Sequence, residues 1–153
     1  MFDVHIHHGP QKLKNVKDIK EKDVIITTYH TLNADCRIPE SVEETDEIRW
    51  VQKHGGVLSR TSWHRFFVSP IMTDNSLTSS YSVVLDEAQF IRNRKTQSSR
   101  AVAMLDATYR WCLTGTPITN TLADVYGLIR FGKFRPWNDW REFDKQIVRT
   151  HHC

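Results

Sequence analysis

Apolar and polar positions change their period several times along the chain, and each change marks an element. Val4-His5-Ile6-His7-His8 alternates and stops at Gly9-Pro10, the pattern of a strand running into a turn. Between Lys12 and Lys22, Leu13, Val16 and Ile19 recur among lysines at helical spacing, which predicts a short surface helix. Asp23 to Tyr29 is β-branched almost throughout and predicts a buried strand. Ser41 to His54 follows Pro39, opens with a Ser41–Glu44 capping box and ends at Gly55-Gly56. Its acids come early and its bases late, so it predicts a solvated surface helix. Trp63 to Phe67 reads as the lead-in to a strand.

The second half repeats the alternation of strand and helix. Ser82-Val83-Val84-Leu85 is a short apolar run that delivers Asp86 and Glu87. Ser98 or Ser99 can cap a helix whose Ala101, Val102 and Leu105 face inward. Arg110 to Leu113 predicts another short buried strand, ending in the turn Thr114-Gly115-Thr116-Pro117. Thr121 and Asp124 form a second capping box, followed by Leu122, Val125, Tyr126 and Ile129 on one helical face and a stop near Gly132. The order predicts an α/β fold, a parallel sheet with flanking helices joined by right-handed crossovers. Only Val68–Ser82, rich in Ser and Thr, shows no period.

With 153 residues and 39% hydrophobic content the chain can build one core of ordinary size. A net charge of +3 permits a polyanionic partner without demanding one. Cys36, Cys112 and Cys153 are too far apart for a zinc pattern or a disulfide framework, which fits a reducing compartment. No apolar run approaches the length of a bilayer span, so no membrane partner is expected. His5, His7 and His8 invite a metal, but no carboxylate or cysteine stands near them in sequence, and the structural reading is favoured.

Adjacent strand residues point to opposite faces, so Asp86 and Glu87 can serve one site only if the strand ends at Asp86. In a nucleotide-hydrolysing site the first acid holds Mg²⁺ and the second orients or deprotonates the attacking water. An ordinary acidic loop has the same local sequence. Thr27, Thr28 and Tyr29 could bond backbone phosphates, or could be present for strand propensity alone. The Thr114-Gly115-Thr116 turn could hold a phosphate or a catalytic carboxylate. Ile91 to Thr96 is a basic loop.

Taken together, Asp86–Arg94 and Arg110–Ile118, with Asn120 and Leu128–Phe134, make the chain resemble the first RecA-like lobe of Swi/Snf-type superfamily-two helicase-like ATPases. Within these it looks closest to the branch of helicase-like transcription factors and post-replication repair translocases. The similarity runs from about Val4 to Ile147, so residues 1–147 are expected to form a partial, incomplete RecA-like (P-loop NTPase) lobe. The resemblance implies ATP with Mg²⁺ as cofactor, Asp86 and Glu87 as catalytic acids and Mg²⁺ site, and Gln89, Thr114, Gly115 and Thr116 as the coupling elements. It also implies double-stranded DNA or chromatin as partner, with contacts from Thr27, Thr28, Tyr29, Arg92, Asn93 and Arg94. Further expectations are a second RecA-like lobe and a nuclear location.

The departures from that family are specific. No Gly-Lys-Ser/Thr occurs in the sequence, and Gly132-Lys133 is followed by Phe134. The phosphate loop is expected upstream and the second lobe downstream, so the chain alone is expected to be inactive. Gln89 stands where the family usually has His, and Thr119 where it usually has Gln. Residues 68–82 read as an insertion or a retained intron. The competing readings are a non-catalytic truncated lobe that binds DNA or a partner, and the product of a degenerate gene.

Overall fold

The computed structural model describes residues 3–61 and 82–151. The expected strand lead-in at Trp63–Phe67 and the proposed insertion, up to residue 81, lie outside the described residues. Ser82 opens a strand.

The N-terminal half is a parallel pair. Strand β1 (Val4–Ile6) runs beside β2 (Val24–Ile26), with Val4 opposite Val24 and Ile6 opposite Ile26. Parallel neighbours need a crossover, and here it carries a turn at Gly9–Gln11 and helix α1 (Val16–Lys20), which buries Ile19. Gly9 takes a left-handed φ of 55°, a conformation glycine adopts without penalty. His7 is buried, and its Nδ1 accepts the Leu13 N–H at 3.2 Å. His8 bonds the Thr31 hydroxyl at 3.1 Å. These histidines are packing and turn residues, and no metal-binding cluster of three occurs among the described residues.

β2 is shorter than its β-branched run. Thr28 leaves the strand in an extended conformation and its hydroxyl accepts the Thr31 N–H at 3.1 Å, so Tyr29 becomes the first residue of helix α2 (Tyr29–Asp35). A threonine that satisfies an orphan helix N–H gains more than one more strand position offers. Helix α3 (Glu47–His54) also starts later than its sequence marks suggest. Glu44 does not close a box with Ser41; its carboxylate reaches Arg130 and Tyr126 instead. Glu47, on the same helix, is 2% exposed, so α3 presents a buried charge to the core as well as a solvated face.

The second half is another parallel pair, β3 (Ser82–Leu85) beside β4 (Tyr109–Cys112), with Val84 opposite Trp111 and Leu85 opposite Cys112. Between them runs α4 (Gln97–Ala103), whose interior residues Ala101 and Val102 are fully buried. Its cap is Thr96, which accepts the Ser99 N–H, rather than Ser98 or Ser99. The Thr121–Asp124 capping box forms as expected and leads into α5 (Tyr126–Gly132). Gly127 lets α5 lie against the turn after β3: a Cβ there would meet the Ile91 carbonyl oxygen at 1.8 Å. A short helix, α6 (Trp140–Phe143), is capped by Asp139 and runs on into a π-helical segment at Asp144–Val148 and a 3₁₀ turn at Arg149–His151.

The α/β class with parallel strands is therefore as predicted. The strands form two two-stranded sheets among the described residues, however, and not one continuous ladder. The halves meet through helices: Asn33 of α2 donates to Ser98 of α4 at 2.9 Å, and Gln97 donates to the Cys36 carbonyl at 2.6 Å. Between β2 and β3 lies an apolar cavity of about 600 Å³, lined by Ile25, Leu32, Val83 and Leu105 among others.

Candidate functional site

β3 ends at Leu85, which frees the following backbone to turn. Glu87 then takes a left-handed conformation, φ 49° and ψ 48°, before a single 3₁₀ turn at Ala88–Ile91. A non-glycine residue in that region is uncommon, and here it undoes the alternation that would aim the two acids apart. The turn is stapled to the next strand. Leu113 N–H donates to the Leu85 carbonyl at 2.8 Å, and Ala88 N–H donates to the Leu113 carbonyl at 2.9 Å.

A line of hydrogen bonds, partly through backbone N–H groups, crosses from one strand end to the other. Glu87 N–H donates to Asp86 Oδ1 at 2.9 Å. Gln89 Nε2 donates to Glu87 Oε2 at 2.6 Å, and Gln89 Oε1 accepts the Thr114 hydroxyl at 2.6 Å. Thr114 Oγ1 in turn accepts the Thr116 N–H at 3.1 Å. Gln89 can bridge in this way because its amide is one donor and one acceptor on one plane. Gly115 has open space around it, so the turn has room for a ligand atom.

Tyr29 joins the site from α2. Its hydroxyl donates to the Asp86 carbonyl at 2.9 Å across the gap between the two sheets, and its ring lies 5.9 Å from Phe90. Burial, then the Cys112 thiol and the Asp86 and Glu87 carboxylates, push the phenol well above its ordinary value, so it stays a donor. Thr27 and Thr28 line the same cavity as Tyr29, Asp86 and Glu87, but their hydroxyls are engaged locally. Thr27 donates to the His7 carbonyl at 2.9 Å, and Thr28 caps α2. The Cys36 and Cys112 thiols are each pushed up to about 11, chiefly by burial, and do not act as thiolate nucleophiles near neutral pH.

The basic loop stands apart from the acids. Arg92 is exposed and donates to Thr119 Oγ1 at 2.7 Å. Thr119 is held in turn by Asp124, whose carboxylate accepts N–H groups from Thr119, Asn120 and Thr121. Those bonds, that from Asn120 first, lower the Asp124 carboxyl below its ordinary value. Asn93 is a turn-former, its Oδ1 accepting the Lys95 N–H at 3.0 Å. Arg94 points inward, with its guanidinium 4.5 Å above the Trp140 ring and Nη1 3.4 Å from Glu44.

Behind the loop is a charge cluster that sequence reasoning missed. Glu47 binds Arg100 and also Arg130, the latter at 2.5 Å, and Arg130 Nε lies 3.0 Å from Glu44. Arg100 further donates to the carbonyls of Pro39 and Val42. The signal available beforehand was slight: an acid and two arginines on three helices, whose meeting depends on how those helices pack.

For Mg²⁺ the donor set fits. The ion keeps several waters and takes one or two carboxylates, the remainder coming from substrate phosphates. Asp86 and Glu87 are both exposed, and each has one carboxylate oxygen engaged by a neighbour within the chain.

The chain matches the model of the SNF2-related domain over residues 2–152. It is 35% identical over 146 residues to the DNA repair protein RAD5A of Arabidopsis thaliana, covering 95% of this chain and 12% of that protein. It is 31% identical over 144 residues to transcription termination factor 2 of Drosophila melanogaster, covering 94% of this chain and 10% of that one. In fold it is similar to the Sulfolobus solfataricus SWI2/SNF2 ATPase core in complex with dsDNA. That match has a TM-score of 0.60 and 24% identity, over 99% of this chain and 24% of the other. The chain thus spans about a tenth to a quarter of the length of these proteins.

Proposed function

This chain belongs to the SNF2-related domain family, and from that premise we propose that residues 1–147 are part of the first RecA-like lobe of an ATP-dependent double-stranded-DNA translocase. The reading rests above all on the hydrogen-bonded line from Asp86 through Glu87 and Gln89 to Thr114 and Thr116. It joins the acids that hydrolysis needs to the turn that would transmit its outcome.

In this reading Asp86 would hold Mg²⁺, with Glu87 reaching it through water, and the bound ion would supply charge neutralisation on the nucleotide phosphates. Glu87 is the general base for the attacking water. Its carboxylate keeps one oxygen on Gln89, which fixes the other in place. Thr114, reached through Gln89, senses whether that oxygen is occupied. Tyr29 ties the Asp86 carbonyl to α2, and the loop around Arg92 faces duplex DNA. The nucleus is the compartment where such a polymer is met.

ATP itself needs more than this chain shows. A cradle of backbone N–H groups with its lysine is the usual seat of the phosphates, and no Gly-Lys-Ser/Thr is present in the sequence. One face of β4 is also open: Tyr109 and Trp111 are 51% and 59% exposed on it. Parallel sheets are covered on both faces, so further chain or a second lobe belongs there.

The test has two arms. The purified chain is expected to hydrolyse no ATP with or without duplex DNA. Joined to a segment bearing a Gly-Lys-Thr-type phosphate loop, it should hydrolyse ATP, and Glu87→Gln should lower the rate about a hundredfold or more. Turnover by the chain alone that vanishes in Glu87→Gln, or a joined protein indifferent to that change, would overturn the reading.

A further inference from the structure

The basic loop divides by what its side chains already bond. Asn93 shapes the turn: its carbonyl accepts both the Thr96 N–H at 3.1 Å and the Thr96 hydroxyl at 2.8 Å, while its side chain accepts the Lys95 N–H. Arg94 is half-buried between the Trp140 ring and Glu44. Glu44 is itself anchored by Arg130 at 3.0 Å and by the Tyr126 hydroxyl at 3.2 Å, so the clamp is continuous with the buried cluster. Lys95 differs. Its backbone is fixed by Asn93, its side chain is exposed, and its ammonium has no ion pair among the described residues.

We propose that Lys95, together with Arg92, is the phosphate-binding residue of this loop, and that Arg94 is a positioning residue clamped by Trp140 and Glu44 so that the loop presents them. The proposal rests on the reading of the loop as a DNA contact. A guanidinium stacked on an indole and paired to a carboxylate would have to leave both to reach a phosphate, whereas a hydrated lysine has nothing to leave. Arg92 and Lys95 line a hollow of about 410 Å³ together with Arg94, Tyr126 and Trp140, and the Asp124 carboxylate, also in its wall, repels an anion from its interior. Phosphates are therefore met on the solvent side by exposed Arg92 and Lys95; Arg92 is engaged only through Nη1, by the neutral Thr119 hydroxyl at 2.7 Å, and pairs with no carboxylate among the described residues.

Salt dependence separates the two roles. Each phosphate contact releases counterions and adds about 0.9 to the slope of log K against log salt. The 153-residue chain is titrated with a short duplex across a range of salt. Arg92→Ala and Lys95→Ala should each lower the slope by about 0.9. Arg94→Gln and Trp140→Leu should weaken binding severalfold with the slope unchanged, and Arg94→Lys should not restore affinity, since lysine keeps the charge but not the planar stack. A slope lowered by Arg94→Gln as much as by Lys95→Ala, or full recovery in Arg94→Lys, overturns the assignment. If the unmodified chain does not bind duplex, the DNA reading fails. The clamp is then judged by amide exchange at Lys95 and Thr96, expected to quicken about tenfold in Arg94→Gln because the turn opens locally. Unchanged exchange overturns the positioning role.

Discussion

Two groups of charges in this molecule are built on opposite principles. At the end of β3, Asp86 and Glu87 are exposed, and the partners that hold them are neutral: a backbone N–H and the Gln89 amide. Behind the basic loop, Glu47 is buried against Arg100 and Arg130, and every group there meets an opposite charge or a carbonyl. The first arrangement leaves a carboxylate able to accept a cation from water. The second spends its charges on one another, because an ion removed from water is tolerated only when paired and fully bonded. An acid in this fold is thus available for chemistry where its neighbours are polar but uncharged, and is committed to architecture where they are arginines.

The sharpest test of that contrast removes one acid from each group. Glu47→Ala leaves buried Arg100 with carbonyl partners only and Arg130 with Glu44 alone, and should cost about 3–5 kcal/mol, read as a fall in the urea midpoint. Asp86→Asn, at an exposed position, should leave the midpoint where it was. Equal midpoints for the two variants would erase the distinction. A smaller effect is expected where neutrality itself matters. Gln89 neither gains nor loses a proton, so its bond to Thr114 is independent of pH. In Gln89→His the imidazole, with an ordinary pKa of about 6.5, becomes a double donor below that pH and can no longer accept from Thr114. The joined ATPase should then lose DNA-stimulated turnover as pH falls through about 6.5, while the unmodified protein holds it. A flat profile in Gln89→His would show that the bridge is not used.

The smallest expected effect lies at His7, a buried titratable group that no carboxylate pairs. Burial lowers its pKa first of all; His5 and Lys12 add to this and Asp35 opposes it. A base whose folded pKa is depressed binds its proton more readily in the unfolded chain. Its contribution to stability is therefore complete above the ordinary value of about 6.5 and declines as pH falls below it. His7→Gln, which keeps an acceptor for the Leu13 N–H, should flatten that part of the stability profile. An unchanged profile would place the acid sensitivity elsewhere.

Much of this was legible in the chain itself. The runs at Val24, Ser82 and Arg110 are strands, although the last, expected to be buried, is exposed on one face and half-buried on the other; the Thr121–Asp124 box forms, and the acids follow directly on the strand end. The resemblance drawn from Asp86–Arg94 and Arg110–Ile118 is borne out by the family match over nearly the whole chain. Thr28 and Glu44 were misread for a shared reason. Each carries a local signal, β-propensity in one case and a capping box in the other, and each found a stronger partner: a nearby helix N–H for Thr28, and Arg130 of a distant helix for Glu44. Arg94, which the resemblance placed at DNA, is stacked on Trp140 and paired with Glu44 in the fold, contacts no local signal announced.

What the sequence alone determined is what depends on neighbours along the chain: where apolar runs begin and end, the turn chemistry around Gly9 and Thr121, and the order of motifs that marks the family. Only the tertiary structure decided which charges are buried, that Gln89 spans from Glu87 to Thr114, and that the strands divide into two pairs. Those outcomes depend on atoms far apart in sequence approaching within a few ångströms, and desolvation then sets the strength of each contact.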